Sequence, residues 1–177
     1  MADASDLFLL AAEVLDVATA ALDLLPAQAP DRRYVGHGLP ALDCEQLVVS
    51  TYAVPEASTA PQAAALDRSF RFKYGSVINP LLVVSVVRCY PVVTLNSKQV
   101  PIFPDPAAIE AASALIYADG WQLWNGIISA KREGAFDGLC KGMAREPMLP
   151  IQPSGGYAGW TMPLDFELDG FTVDFGS

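Results

Sequence analysis

The chain has 177 residues, of which 52% are hydrophobic, and a net charge of −9; this suits one folded domain with a sizeable core and excludes a disordered polypeptide. The acidic balance excludes a module that grips phosphate backbones through a basic footprint, though not nucleic acid passing nearby without adhering. No apolar run reaches the roughly 18 residues of a membrane span. The nearest, residues 7–25, is interrupted by Glu13, Asp16 and Asp23. The first 31 residues hold six acidic side chains and no Lys or Arg, unlike a signal peptide. The expectation is a soluble protein made in the cytoplasm.

In chain order, a first helix is predicted from about Ser5 to Leu25, with Asp3 or Ser5 as cap, Asp6 at its positive end and Pro26 after it. Its polar stripe is narrow, so it buries a wide arc. Residues 26–41 carry three prolines and two glycines and read as a loop. A strand follows at Cys44 to Tyr52. Residues 53–67 are Ala, Pro, Ser and Thr with almost no bulky side chain, and predict a mobile loop. Phe70, Phe72 and Tyr74 then alternate with Arg71 and Lys73, the pattern of a half-buried ribbon. The segment LLVVSVVRCYP, Leu81 to Pro91, is apolar on both faces until Arg88 and Tyr90, so it belongs in mid-sheet with cover on each side.

A proline-rich connection leads to the second helix. Asp105 is its N-cap, Pro106 its first residue, and Gly134 its terminator. At 28 residues it would span roughly 42 Å. Gly120 and Gly126 mark a bend or a close approach within it. Residues 135–156 read as irregular. Trp160, Met162, Leu164, Phe166 and Leu168 alternate with Thr161, Pro163, Asp165 and Glu167, a strand with one apolar face. Pro163 there points to an edge or a bulge. Asp169-Gly170 reads as a turn, and Phe171, Val173 and Phe175 as a short last strand. The order α-β-β-β-α-β predicts an α+β fold: an antiparallel or mixed sheet of about four strands, two helices on one face, and a mobile loop or ribbon at about 53–77.

Reactive patterns are mostly missing. There is no phosphate-binding loop, dinucleotide fingerprint, zinc-protease helix or nucleophile elbow. The glycines of GGYAG precede a strand and read as a positive-φ turn rather than a phosphate cradle. Three cysteines (Cys44, Cys89 and Cys140) are odd in number and lack CxxC spacing, so they read as buried free thiols. The single histidine, His37, argues against a metal site and could form a dyad with Cys44 only by chance alignment. Asp165 and Glu167 read as a solvated face rather than a catalytic pair. Trp121 and Trp124 read as core or subunit interface rather than a stacking platform.

Three pieces, VVSVVRCYP, DPAAIEAASALIYADGWQLWNGI and GGYAGWTMPLDFELDG, together with a leading strand at Asp43 to Val49, resemble the tail terminator family of siphophages of actinobacteria. The resemblance runs from about Leu42 to Gly170, and the chain departs from it in the long 53–67 loop. It implies a homohexameric ring in the virion neck, capping a tube of major tail protein and meeting a head-tail stopper or connector, with DNA passing through the lumen. It implies neither catalysis nor a cofactor, and no metal or membrane. Phe70, Arg71, Phe72, Lys73 and Tyr74 would then be subunit-interface residues, supplying the second cover of the Leu81–Tyr90 strand, with Arg88 and Tyr90 marking that strand's exit to the ring surface. Six copies at −9 each would give an acidic ring that repels DNA and lets it slide, unless Arg68, Arg71 and Lys73 line the lumen. A stopper or adaptor shares these features. The competing class is a small cytosolic enzyme with a Cys44 nucleophile.

Overall fold

The structure is a computed structural model that describes residues 4–38, 42–52 and 80–168. Its elements are α1 (Ala4–Leu22), β1 (Arg32–His37), β2 (Gln46–Tyr52), β3 (Leu81–Cys89), β4 (Thr94–Leu95), β5 (Pro101–Ile102), α2 (Pro106–Glu133), β6 (Gly142–Arg145), β7 (Leu149–Ser154) and β8 (Tyr157–Glu167). The fold is α+β, as expected, with a mixed sheet of six strands among the described residues. Asp3, residues 53–67, Arg68, the Phe70–Tyr74 ribbon and the 169–175 turn and strand lie outside the described residues, as do the side chains of Ser5 and Asp6.

The sheet runs β1-β2-β3-β8, and both β6 and β7 pair with the far side of β8. Only β1 and β2 are parallel; the other pairings are antiparallel. Both helices cover one face. Leu10, Val14, Ala18 and Leu22 of α1, and Leu123 and Ile127 of α2, meet Leu47, Val49, Leu82, Val84, Val86, Met162, Leu164 and Phe166 in one cluster. Each fully buried aliphatic there contributes about 1.5–3 kcal/mol. Helix α2 starts and stops where its caps dictate. Asp105 accepts from the Ala107 amide, and Gly134 turns left-handed at φ 81°.

Gly120 and Gly126 are sites of close approach. A Cβ on Gly120 would sit 2.6 Å from the Trp160 indole nitrogen, and one on Gly126 would strike Ala21 of α1. Between β7 and β8, Gly155 and Gly156 hold φ 57° and 91° and make the tight hairpin turn expected of GGYAG.

Three strands of the main sheet depart from the sequence reading, as do β4 and β5, which fall in the predicted proline-rich connection. β1 falls in what reads as a loop, and β6 and β7 in what reads as irregular. All three lie outside the β2-β3-β8 centre of the sheet and are largely solvent-facing, so they carry little apolar alternation. Pro163 is not at an edge: β8 is paired on both sides. Its carbonyl accepts from the Glu146 amide at the break between β6 and β7, so its missing donor falls where the ladder is interrupted anyway.

The second face of β2 and β3 also differs from expectation. Gln46, Val48, Ser50, Ser85 and Val87 are already buried within a single chain. A neighbouring subunit is not needed to cover them.

Candidate functional site

Two features stand out at the far end of β3. The first is a buried charge. Arg88 is the residue before the end of β3, and its alternation carries it to the helix side, following Leu82, Val84 and Val86. It is 3% exposed, against an expectation of an exit to the surface. The reason is Asp119, 1% exposed at the middle of α2, directly over the strand. Arg88 donates to it twice, Nε to Oδ2 at 2.7 Å and Nη2 to Oδ1 at 3.0 Å, the fork-on-fork geometry of a strong pair.

Two further acceptors complete the guanidinium. Nη1 donates to Glu45 Oε2 at 3.0 Å, and Nη2 to the Gln28 carbonyl at 2.5 Å. Four of the five donors are thereby used. Gln28 and Glu45 both hold left-handed backbones, φ 55° and 59°, a conformation costly for residues with side chains. Burial works against the Arg88 charge, yet the hydrogen bond and charge of Asp119, then those of Glu45, raise its pKa above the ordinary value. On Asp119 burial is the largest effect and pushes the carboxyl up, against the downward pull of the Arg88 hydrogen bond and charge. With Asp119, Glu45 and the Gln28 carbonyl all accepting from one cation, the cluster holds two loops and a helix against the sheet.

Beside it lies a disulfide between Cys44 and Cys89. The β2–β3 register pairs Gln46 with Val87, and one and two steps further on come Glu45 opposite Arg88 and Cys44 opposite Cys89. The free-thiol reading of these two cysteines is corrected: register brings them together. Cys140 is the free cysteine. Its thiol donates to the Phe136 carbonyl at 3.6 Å, and burial, then the charge of Asp137, pushes its pKa up, away from thiolate reactivity.

The second feature begins three residues later. Strands β4 and β5 form a ribbon that is not part of the main sheet. Its side chains Val92, Val93, Leu95, Val100, Ile102 and Phe103 are 44% to 75% exposed. The tip is nonetheless well organised. Asn96 Oδ1 accepts from the amides of Lys98 and Val100, each at 2.9 Å, and the Asn96 amide donates to the Val100 carbonyl at 3.0 Å. On α2, Tyr117 and Trp121 are also exposed, 69% and 70%. Beside the root of the ribbon, Tyr90, Ser113, Tyr117, Pro150 and Trp160 line an open groove of about 340 Å³. The Trp160 indole is fixed there by donating to the Ile116 carbonyl at 2.8 Å.

The remaining sequence candidates separate. His37 faces Thr51 Oγ1 at 3.2 Å on β1, and with Cys44 bonded to Cys89 no His37–Cys44 pair forms. Asp165 is half-buried and Glu167 exposed. Burial, then the charge of Glu146, pushes the Asp165 carboxyl up. The two tryptophans divide: Trp124 packs on the core beneath the Arg145 guanidinium, 3.8 Å from its ring centre, while Trp121 is exposed. The interface candidates Phe70, Arg71, Phe72, Lys73 and Tyr74 lie outside the described residues. Among the described residues no group of three His, Cys, Asp or Glu is placed to hold a metal, and no helix is long and apolar enough to cross a membrane.

Sequence reasoning missed Arg88–Asp119 and the disulfide, although a signal existed. Cys44-Glu45 and Arg88-Cys89 are mirror-image dipeptides on strands that pair antiparallel, so one register satisfies both a charge pair and a cysteine pair. Comparison with protein-family models finds no match, and comparison with curated proteins finds no relative.

Proposed function

We propose that the chain is a structural subunit of a long-tailed phage, of the tail terminator kind: a ring of copies that closes the tail tube and joins it to the head-side connector, with no chemistry of its own. The observation that carries this reading is the exposed apolar ribbon. All six of its large apolar side chains are 44% or more exposed, and exposed apolar surface gathered on one short segment marks an interaction site. A surface of that kind, stiffened by its own turn, suits burial in an assembly. The buried Arg88 cluster supports the same reading from the other direction, since its polar groups are spent on one another. The stopper or adaptor reading draws on the same ribbon and differs only in what lies above and below the ring.

The test is to mix purified protein with tail tubes lacking a cap and to view the products by electron microscopy. The expected result is density added at one end of each tube. Tubes that remain bare at both ends at saturating protein contradict the terminator reading.

A further inference from the structure

We propose that the Cys44–Cys89 disulfide is a redox latch on the Arg88 cluster: oxidised, it clamps Glu45 over the guanidinium; reduced, it releases Glu45 while Asp119 keeps Arg88 in place.

The geometry is specific. Glu45 is held between the two bonded residues. Its Oε1 accepts from the Cys89 amide at 3.2 Å and its Oε2 from Arg88 Nη1 at 3.0 Å. Its own backbone sits at φ 59°, which does not form readily in a free chain. The β2 ladder begins only at Gln46, so residues 42–45 depend on side-chain bonds and on the sulfur–sulfur bond. By contrast, Asp119 is built into α2, an element that carries neither cysteine, and its two bonds to Arg88 come from there. Cys89 is exposed and Cys44 half-exposed, so a small thiol can reach the bond.

The chemistry balances with a low-molecular-weight disulfide as oxidant. One cysteine thiolate attacks it, expelling one small thiol. The second cysteine thiolate then attacks the mixed disulfide and expels the other. Two protein thiols become one disulfide, and one small disulfide becomes two thiols. A reducing compartment runs the exchange backwards. A chain made in reducing surroundings and later moved to oxidising ones would therefore stiffen at this corner without any change of partner. The latch is independent of the phage reading.

The test compares the full-length protein oxidised with glutathione disulfide and reduced with excess dithiothreitol, by amide spectra and hydrogen exchange. Reduction is expected to shift resonances at Gln28, residues 42–46, Arg88 and Cys89. It should also speed exchange of the Cys89 amide by more than tenfold beyond any change at Leu123. Re-oxidation should restore both, and Cys44→Ser/Cys89→Ser should resemble the reduced form whether or not dithiothreitol is present. Glu45→Ala should lower Cys89 protection in the oxidised protein and leave little further change on reduction. Three outcomes would overturn the proposal: three free thiols persisting after oxidation, equal loss of protection at Cys89 and Leu123, or an undiminished response to reduction in Glu45→Ala.

Discussion

Arg88 and the ribbon that starts at Val92 are four residues apart and invert the usual rule in opposite directions. Arg88 is a charge placed where oil belongs; the ribbon is oil placed where water is. The first is self-sufficient, because Asp119, Glu45 and the Gln28 carbonyl supply acceptors within the same chain. The second has its backbone turn satisfied and its side chains left exposed. A polar group that is buried and fully paired speaks of structure, whereas an ordered apolar surface left in solvent speaks of something yet to bind.

The largest effect should come from breaking the self-sufficient half. Asp119→Leu leaves Arg88 buried without its main counter-ion, and about 3–5 kcal/mol of unfolding free energy should be lost in denaturant titration. The double variant Arg88→Met/Asp119→Leu should recover most of it, because paired removal leaves no stranded charge. A double variant as unstable as the single one would mean that the cluster does more than pair charges.

Next in size is Gly120→Ala. Helix propensity alone favours alanine by about 1 kcal/mol. The new methyl would sit 2.6 Å from the Trp160 indole, at the nitrogen that bonds the Ile116 carbonyl. Overpacking of this kind costs about 1–3 kcal/mol, so the net change should be a loss, accompanied by a shift in Trp160 fluorescence. A gain in stability would show that the indole moves freely, and that the groove beside the ribbon is soft.

How much of this contrast was legible in the sequence follows from where each signal is stored. Helix α2 was readable from Asp105 to Gly134 because caps are local. β8 was readable because its alternation from Trp160 to Phe166 is strict. β1, β6 and β7 were not, since RRYVGH, GMAR and LPIQPS owe their pairing to neighbouring strands rather than to their own pattern. Arg88 looked like a strand's polar end because its partner lies 31 residues away on a helix. The ribbon was hidden in a proline-rich stretch whose valines look unremarkable until their exposure is known.

The smallest effect concerns Asp165. Burial and then the charge of Glu146 raise its carboxyl pKa in the fold. A raised acid favours folding below the ordinary carboxylate range, and that contribution is lost as pH rises through the raised value. Asp165→Asn should therefore melt slightly higher than the parent at pH 7, with the advantage gone by about pH 3. An advantage that grows toward low pH would reverse the assigned direction.

The central claim is that the ribbon is an assembly surface. Its most direct test is the solution mass, by analytical ultracentrifugation, of the parent and of Leu95→Asp/Phe103→Asp. Both substituted side chains are exposed, so stability should change by no more than about 0.5 kcal/mol. The parent should form a particle near six times 18.9 kDa, and the variant should remain at the single-chain mass with an unchanged melting temperature. A parent that stays a monomer at every concentration, or a variant that assembles as well as the parent, would contradict the account.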